Sequence, residues 1–176
     1  EVMRVVEGAD DGPLSGADRL VVVSSGELLA PGFLGADNVV VNCAFPWNRG
    51  GIELARGMRY LRDVMRASAA ARVRTFVNVS SQSVYRSDRD EPATEESELD
   101  CDSPYATGKV AMELLAQEIL DPGTLVNVRM GSLIGRGYDV RIVNRFVKQA
   151  LAGEPLVVED GDRRFSYMDV RDAARA

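Results

Sequence analysis

Short runs of wholly apolar residues alternate along this chain with stretches of helical periodicity, and that alternation is the pattern of parallel α/β units. Strand-length runs stand at Val2 to Val6, at Leu20 to Val23 and at Asn38 to Phe45. The second and third are continuous, as in strands buried on both faces. Residues 52–70 carry Ile52, Leu54, Ala55, Met58, Leu61, Val64 and Met65, the spacing of an amphipathic helix. Val73 to Ser80 then reads as a strand that ends in serines. Residues 86–102 hold eight acids and two arginines with Pro92 and no periodicity, and read as a solvated loop. Ser103 and Pro104 form a helix start, serine as N-cap and proline in the first position. Asp121-Pro122-Gly123 stops that helix, and Leu125 to Met130 is another strand. Residues 139–152 look helical and end at Gly153. Leu156 to Val158 and Phe165 to Met168 read as short strands, and the last residues begin a helix.

The chain has 176 residues, is 45% hydrophobic and carries a net charge of −6. That length suits one folding unit with a real core. An acidic balance argues against nucleic acid as the main partner. No apolar run reaches the roughly 18 residues of a membrane span, and no signal peptide is evident. Cys43 reads as a buried strand residue and Cys101 as a loop residue. Neither has metal-ligand spacing, so a reducing, cytoplasmic setting without a metal site is expected. The chain contains no histidine. Ser-His-Asp and Cys-His machinery is thereby excluded, and acid/base work falls to Tyr, Lys, Asp, Glu or Cys.

Tyr105-Ala-Thr-Gly-Lys109 opens the helix after Pro104, and the spacing of four puts both side chains on one face. An ammonium beside a phenol favours the phenolate. Such a phenol exchanges a proton with a substrate alcohol or ketone. Upstream, Thr75-Phe-Val-Asn-Val-Ser-Ser-Gln-Ser-Val-Tyr85 is a buried strand running into hydroxyls at its carboxyl end, where open α/β sheets bind ligands. A serine there donates to a substrate oxygen as charge develops on it.

Together these segments resemble the extended short-chain dehydrogenases/reductases, the NAD-dependent epimerase/dehydratase family of nucleotide-sugar enzymes. Ser80-Ser81-Gln82-Ser83-Val84-Tyr85 matches the family's Ser-Ser-x-x-Val-Tyr-like run. Val39 to Phe45 looks like its fourth strand. Arg129-Met-Gly-Ser-Leu-Ile-Gly135 looks like the segment that follows the sixth. Val143 to Val147, through Tyr167 to Asp172, resembles the substrate-side region. The fold implied is a Rossmann-like, doubly wound parallel sheet. The likeness implies Ser81, Tyr105 and Lys109 as the catalytic set, with the tyrosine as acid/base and the lysine on the nicotinamide ribose. It puts Ala44, Ser80, Tyr105 and Lys109 against the cofactor, and Ser81, Ser83 and Arg164 against the substrate. Residues 1–130 are expected to form a partial dinucleotide-binding domain, and 131–176 a partial substrate-binding region packed on the same core. A homodimer and a nucleotide-sugar substrate are implied as partners.

The resemblance weakens at the start. The family's GxxGxxG loop has no counterpart, since Gly8, Gly12 and Gly16 are wrongly spaced and Asp10 and Asp11 would repel phosphate. The preferred register makes Val2 to Val6 the second strand and Leu20 to Val23 the third, with Gly26-Glu27-Leu28 as the Gly-Asp-hydrophobic run that follows. Glu7 then faces the adenosine ribose, which favours NAD over NADP, and Glu27 is carried as a second cofactor-side residue. In a sheet ordered 3-2-1-4-5-6 the first strand is central. The fold class expected here therefore lacks the first strand, the glycine loop and part of the C-terminal substrate domain, and these residues are read as part of a longer protein. The helix after the fourth strand has Glu53 or Arg56 where the family has asparagine. Near the family's phosphate-binding arginine stand Arg163 and Arg164, with Phe165 in register. Gln82 and Ser83 replace the dehydratases' Asp-Glu pair, which leaves epimerase or ketoreductase. The alternative is a Rossmann-like binding module that has lost its cofactor.

Overall fold

In the computed structural model, the described residues are 23–46, 50–86, 88–135, 142–158 and 166–176. The strand expected at Val2 to Val6, most of Leu20 to Val23, the early glycines, Glu7, Arg163, Arg164 and Phe165 lie outside them. Two compact units divide the described chain, one of residues up to Asn78 with Met112–Val126, the other of Val79–Ala111 with Asn127–Ala176.

In the first unit, α1 (Ser25–Leu28) begins at a capping box. The Ser24 Oγ accepts from the Glu27 amide at 3.2 Å, and the Ser24 amide donates to the Glu27 carboxylate at 2.7 Å. Strand β1 (Val39–Asn42) pairs in parallel with β2 (Thr75–Ser81), in the register Val39↔Thr75 to Asn42↔Asn78. Helix α2 (Gly51–Ala71) makes the crossover, as a parallel pair requires. Its apolar stripe behaves as the periodicity dictates: Leu61, Val64 and Met65 join Val73, Phe76, Met112, Ala116 and Leu120 in one buried cluster. Strand β3 (Leu125–Met130) flanks β2 on its other side, giving the order β1-β2-β3. A 3-2-1-4-5-6 sheet predicts that order for its strands four to six.

Two expectations for β1 are corrected. Val39 and Val41 share a face and are 45% and 58% exposed, so the strand is not buried on both sides. Among the described residues, its Val40 packs on the core and its Asn42 is buried. Cys43 is exposed and lies beyond the strand. The reason is Asn42, whose Oδ1 accepts from the Ala44 amide at 3.3 Å and turns the chain out of the ladder.

One contact fixes how the segment after β1 meets α2. A Cβ added at Gly57 would stand 2.5 Å from the Pro46 Cγ and 2.7 Å from its Cβ. The proline ring is rigid, so only glycine admits it. Gly57→Ala improves helix propensity by about 1 kcal/mol, yet overpacking costs about 1–3 kcal/mol. The variant is expected to be less stable in denaturant unfolding; a higher midpoint would refute the contact.

In the second unit, α3 (Pro104–Ile119) begins as the sequence dictates; its residues from Met112 on belong to the first unit. The Ser103 Oγ accepts from the Ala106 amide at 3.1 Å. Strands β4 (Ser132–Ile134) and β5 (Tyr167–Asp169) form a separate parallel pair, followed by α5 (Val170–Ala173). Gly135, at φ 149°, lets Val170 approach where a Cβ would lie 2.6 Å from its Cγ1. The Asp169 carboxylate caps α5 and pairs with Arg171 at 2.9 Å; those hydrogen bonds hold its pKa down to about 2. Helix α4 (Ile142–Leu151) covers the described part of the helix expected over 139–152. The strand expected at Leu156 to Val158 is absent. All three side chains are exposed, and among the described residues no strand pairs with them. Three apolar residues without a partner cannot hold a ladder.

Candidate active site

The second unit brings together the end of β2, the turn that follows it and the first turns of α3. Alternation along β2 buries Phe76, Asn78 and Ser80, and leaves Ser81 half-buried on the other face. Ser81 caps a 3₁₀ turn over Gln82–Val84. Its Oγ accepts from the Ser83 amide at 3.2 Å, and the two hydroxyl oxygens lie 2.9 Å apart. Val84 is fully buried and pins this turn. Its carbonyl accepts from the Asp100 amide at 2.7 Å, and Tyr85 bridges Leu99. The acidic loop, solvated as expected, is thereby tied back to the strand at both ends. Within it Arg86 pairs with Asp88 at 2.7 Å, an exposed contact of little energetic weight.

Tyr105 and Lys109 occupy successive turns of α3, and the ammonium lies 5.8 Å from the centroid of the phenol ring. Lys109 is only 6% exposed. A buried ammonium is costly unless it is hydrogen-bonded. Its Nζ donates to the Val79 carbonyl at 2.8 Å, two residues before Ser81 on the same strand. The helix that carries the tyrosine and lysine is thus fastened to the strand that carries the serine. Thr107 ties the helix start to the loop before it, its hydroxyl donating to the carbonyls of Cys101 and Ser103.

Sequence reasoning missed one feature. Arg129 on β3 donates to the Tyr85 hydroxyl at 2.8 Å, and its guanidinium lies 4.9 Å from that ring's centroid. Arg89 approaches the same ring at 5.5 Å. The Tyr85–Arg129 pair is 44 residues apart in sequence, so no local pattern could have joined them. It braces the strand segment just past the serines.

In the first unit, Ala44 is half-buried in the turn after β1 and packs against the core. Glu27 is exposed, and its carboxylate is engaged by Ser24; those hydrogen bonds lower its pKa. Arg164 and Glu7 lie outside the described residues. No described helix is long and apolar enough to cross a membrane.

Residues 47–176 match the family model described as the NAD dependent epimerase/dehydratase family. Among solved structures, MoeE5 in complex with UDP-glucose and NAD is similar at 26% identity over 84% of this chain and 52% of that one, with a TM-score of 0.69. The UDP-N-acetylglucosamine 4-epimerase from Bacillus cereus is similar at 22% identity, covering 86% of this chain and 55% of that one, with a TM-score of 0.69. For the UDP-glucuronic acid 4-epimerase from Bacillus cereus in complex with NAD the values are 22%, 78%, 47% and 0.68. The chain spans about half the length of these proteins. No curated protein matches it. The matched model covers most of the chain, and the shared Rossmann-like fold agrees with it: the chain belongs to the NAD dependent epimerase/dehydratase family.

Proposed function

We propose that this chain serves an NAD-dependent epimerase that acts on a nucleotide-linked sugar, with Ser81, Tyr105 and Lys109 as its acid/base set. The observation that carries the reading is the buried Lys109 ammonium, held by Val79 beside the Tyr105 ring at the serine end of β2. The hydroxyl and ammonium donors in the first turns of α3 suit the ribose of a dinucleotide, so the residues of this unit fit that group. A bound NAD would supply hydride acceptance from the sugar carbon and its return to the opposite face of the carbonyl.

The protein's own groups do the rest. The Tyr105 oxygen takes the proton of the sugar hydroxyl as the carbonyl forms, and gives it back when the carbonyl is reduced. Lys109 places a fixed positive charge beside the ring. It also orients the ribose hydroxyls. Ser81 donates to the substrate oxygen. Ser83 holds that hydroxyl in place: its amide donates to the Ser81 Oγ, and its own hydroxyl lies 2.9 Å away, where either oxygen can donate to the other. Ser80, Ala44, Tyr105 and Lys109 take the cofactor side, and Ser83 the substrate side. Fluorescence titration of the full-length protein with NAD, followed by product analysis on UDP-sugars, tests the reading. Expected are saturable binding and an epimer formed with no net change in NADH. Net NADH consumption would identify a ketoreductase. Absence of binding would leave the cofactor-free binding module.

A further inference from the structure

We propose that Asn42 and Asn78 form a positioning pair that sets the turn bearing Ala44 and so tunes NAD affinity. The inference rests on the reading of Ala44 as a cofactor-side residue. The two asparagines face each other across β1 and β2 and are 8% and 2% exposed. A buried amide is costly unless its groups are bonded, and valine or leucine would fill the site without that cost. The pair therefore contributes direction more than stability.

The direction is legible in the hydrogen bonds. Asn42 Nδ2 donates to Asn78 Oδ1 at 3.1 Å. That bond fixes which way the Asn42 amide points. Its Oδ1 is left facing the Ala44 amide, from which it accepts at 3.3 Å. The opposite orientation would set an NH₂ group against an N–H, donor to donor. Asn78 thus dictates the polarity of Asn42, and Asn42 dictates the turn. At the far end of the same segment, Pro46 is seated on Gly57. The turn Cys43–Phe45 is therefore held at both ends, and a ligand meeting Ala44 finds it already ordered.

Two variants separate positioning from mere stability. Asn42→Ala and Asn42→Ser both remove the donor to Asn78 and should lower the unfolding midpoint alike. Only serine keeps an acceptor for the amide two residues on. In the full-length protein, Asn42→Ala is expected to raise the Kd for NAD about tenfold, and Asn42→Ser less than about threefold. Hydrogen exchange without nucleotide should show the Ala44 amide protected in wild type and Asn42→Ser, and fast in Asn42→Ala. Equal affinities in the two variants, whether both wild-type or both weak, overturn the proposal. Wild-type protein that binds no NAD sinks the cofactor reading instead, and the exchange data then judge the turn on their own.

Discussion

Tyr105→Phe is expected to lower turnover by about 10²- to 10⁴-fold while NAD binding changes by less than about threefold. The substitution removes one oxygen and its proton. The ring stays half-buried on α3 and still lies beside the Lys109 ammonium. Packing and local charge are thus preserved, and the missing piece is the group that exchanges a proton with the sugar hydroxyl. Steady-state epimerisation kinetics with a parallel NAD titration checks the split. Turnover at the wild-type level would remove Tyr105 from the mechanism. A large loss of NAD affinity at constant turnover would make it a binding residue only.

Lys109→Met should cost on the order of 10²-fold or more in turnover and should weaken NAD binding, while the fold survives. Methionine has nearly the same length and shape as lysine, and the site is almost closed to solvent. Trading a buried charge for an apolar side chain of similar volume is often neutral. Against that stands the Val79 carbonyl, which loses its donor, at a cost of about 1–3 kcal/mol. Denaturant unfolding should therefore show at most a modest drop. Wild-type kinetics in this variant would reduce the lysine to a structural tether.

What the sequence made legible follows from how far apart the cooperating residues stand. Helices α2 and α3 and strand β3 carry their own signals: an apolar stripe, a Ser-Pro start, a Leu125 to Met130 run that follows an Asp-Pro-Gly stop. Tyr105 and Lys109 are a helical turn apart, so their meeting needed no knowledge of the fold. The tie from Lys109 to Val79 spans 30 residues and the Asn42–Asn78 bond spans 36. Neither can be read from spacing, because each depends on how the elements pack. Strand β4 carries no such signal, because Ser132 to Ile134 is too short to show alternation and its pairing with β5 arises only in the fold. The error at Cys43 has the same source. A run of apolar residues looks like continuous strand until the Asn42 side chain bends the backbone away.

The lysine tether has an asymmetry with respect to mutation. Its acceptor is the main-chain oxygen at position 79, which every amino acid supplies. Residue identity there is consequently free to drift with the demands of strand packing, and the anchor persists through each exchange. At position 109 no other amino acid offers an aliphatic stem of that reach ending in a compact ammonium, so the whole device stands or falls with a single codon.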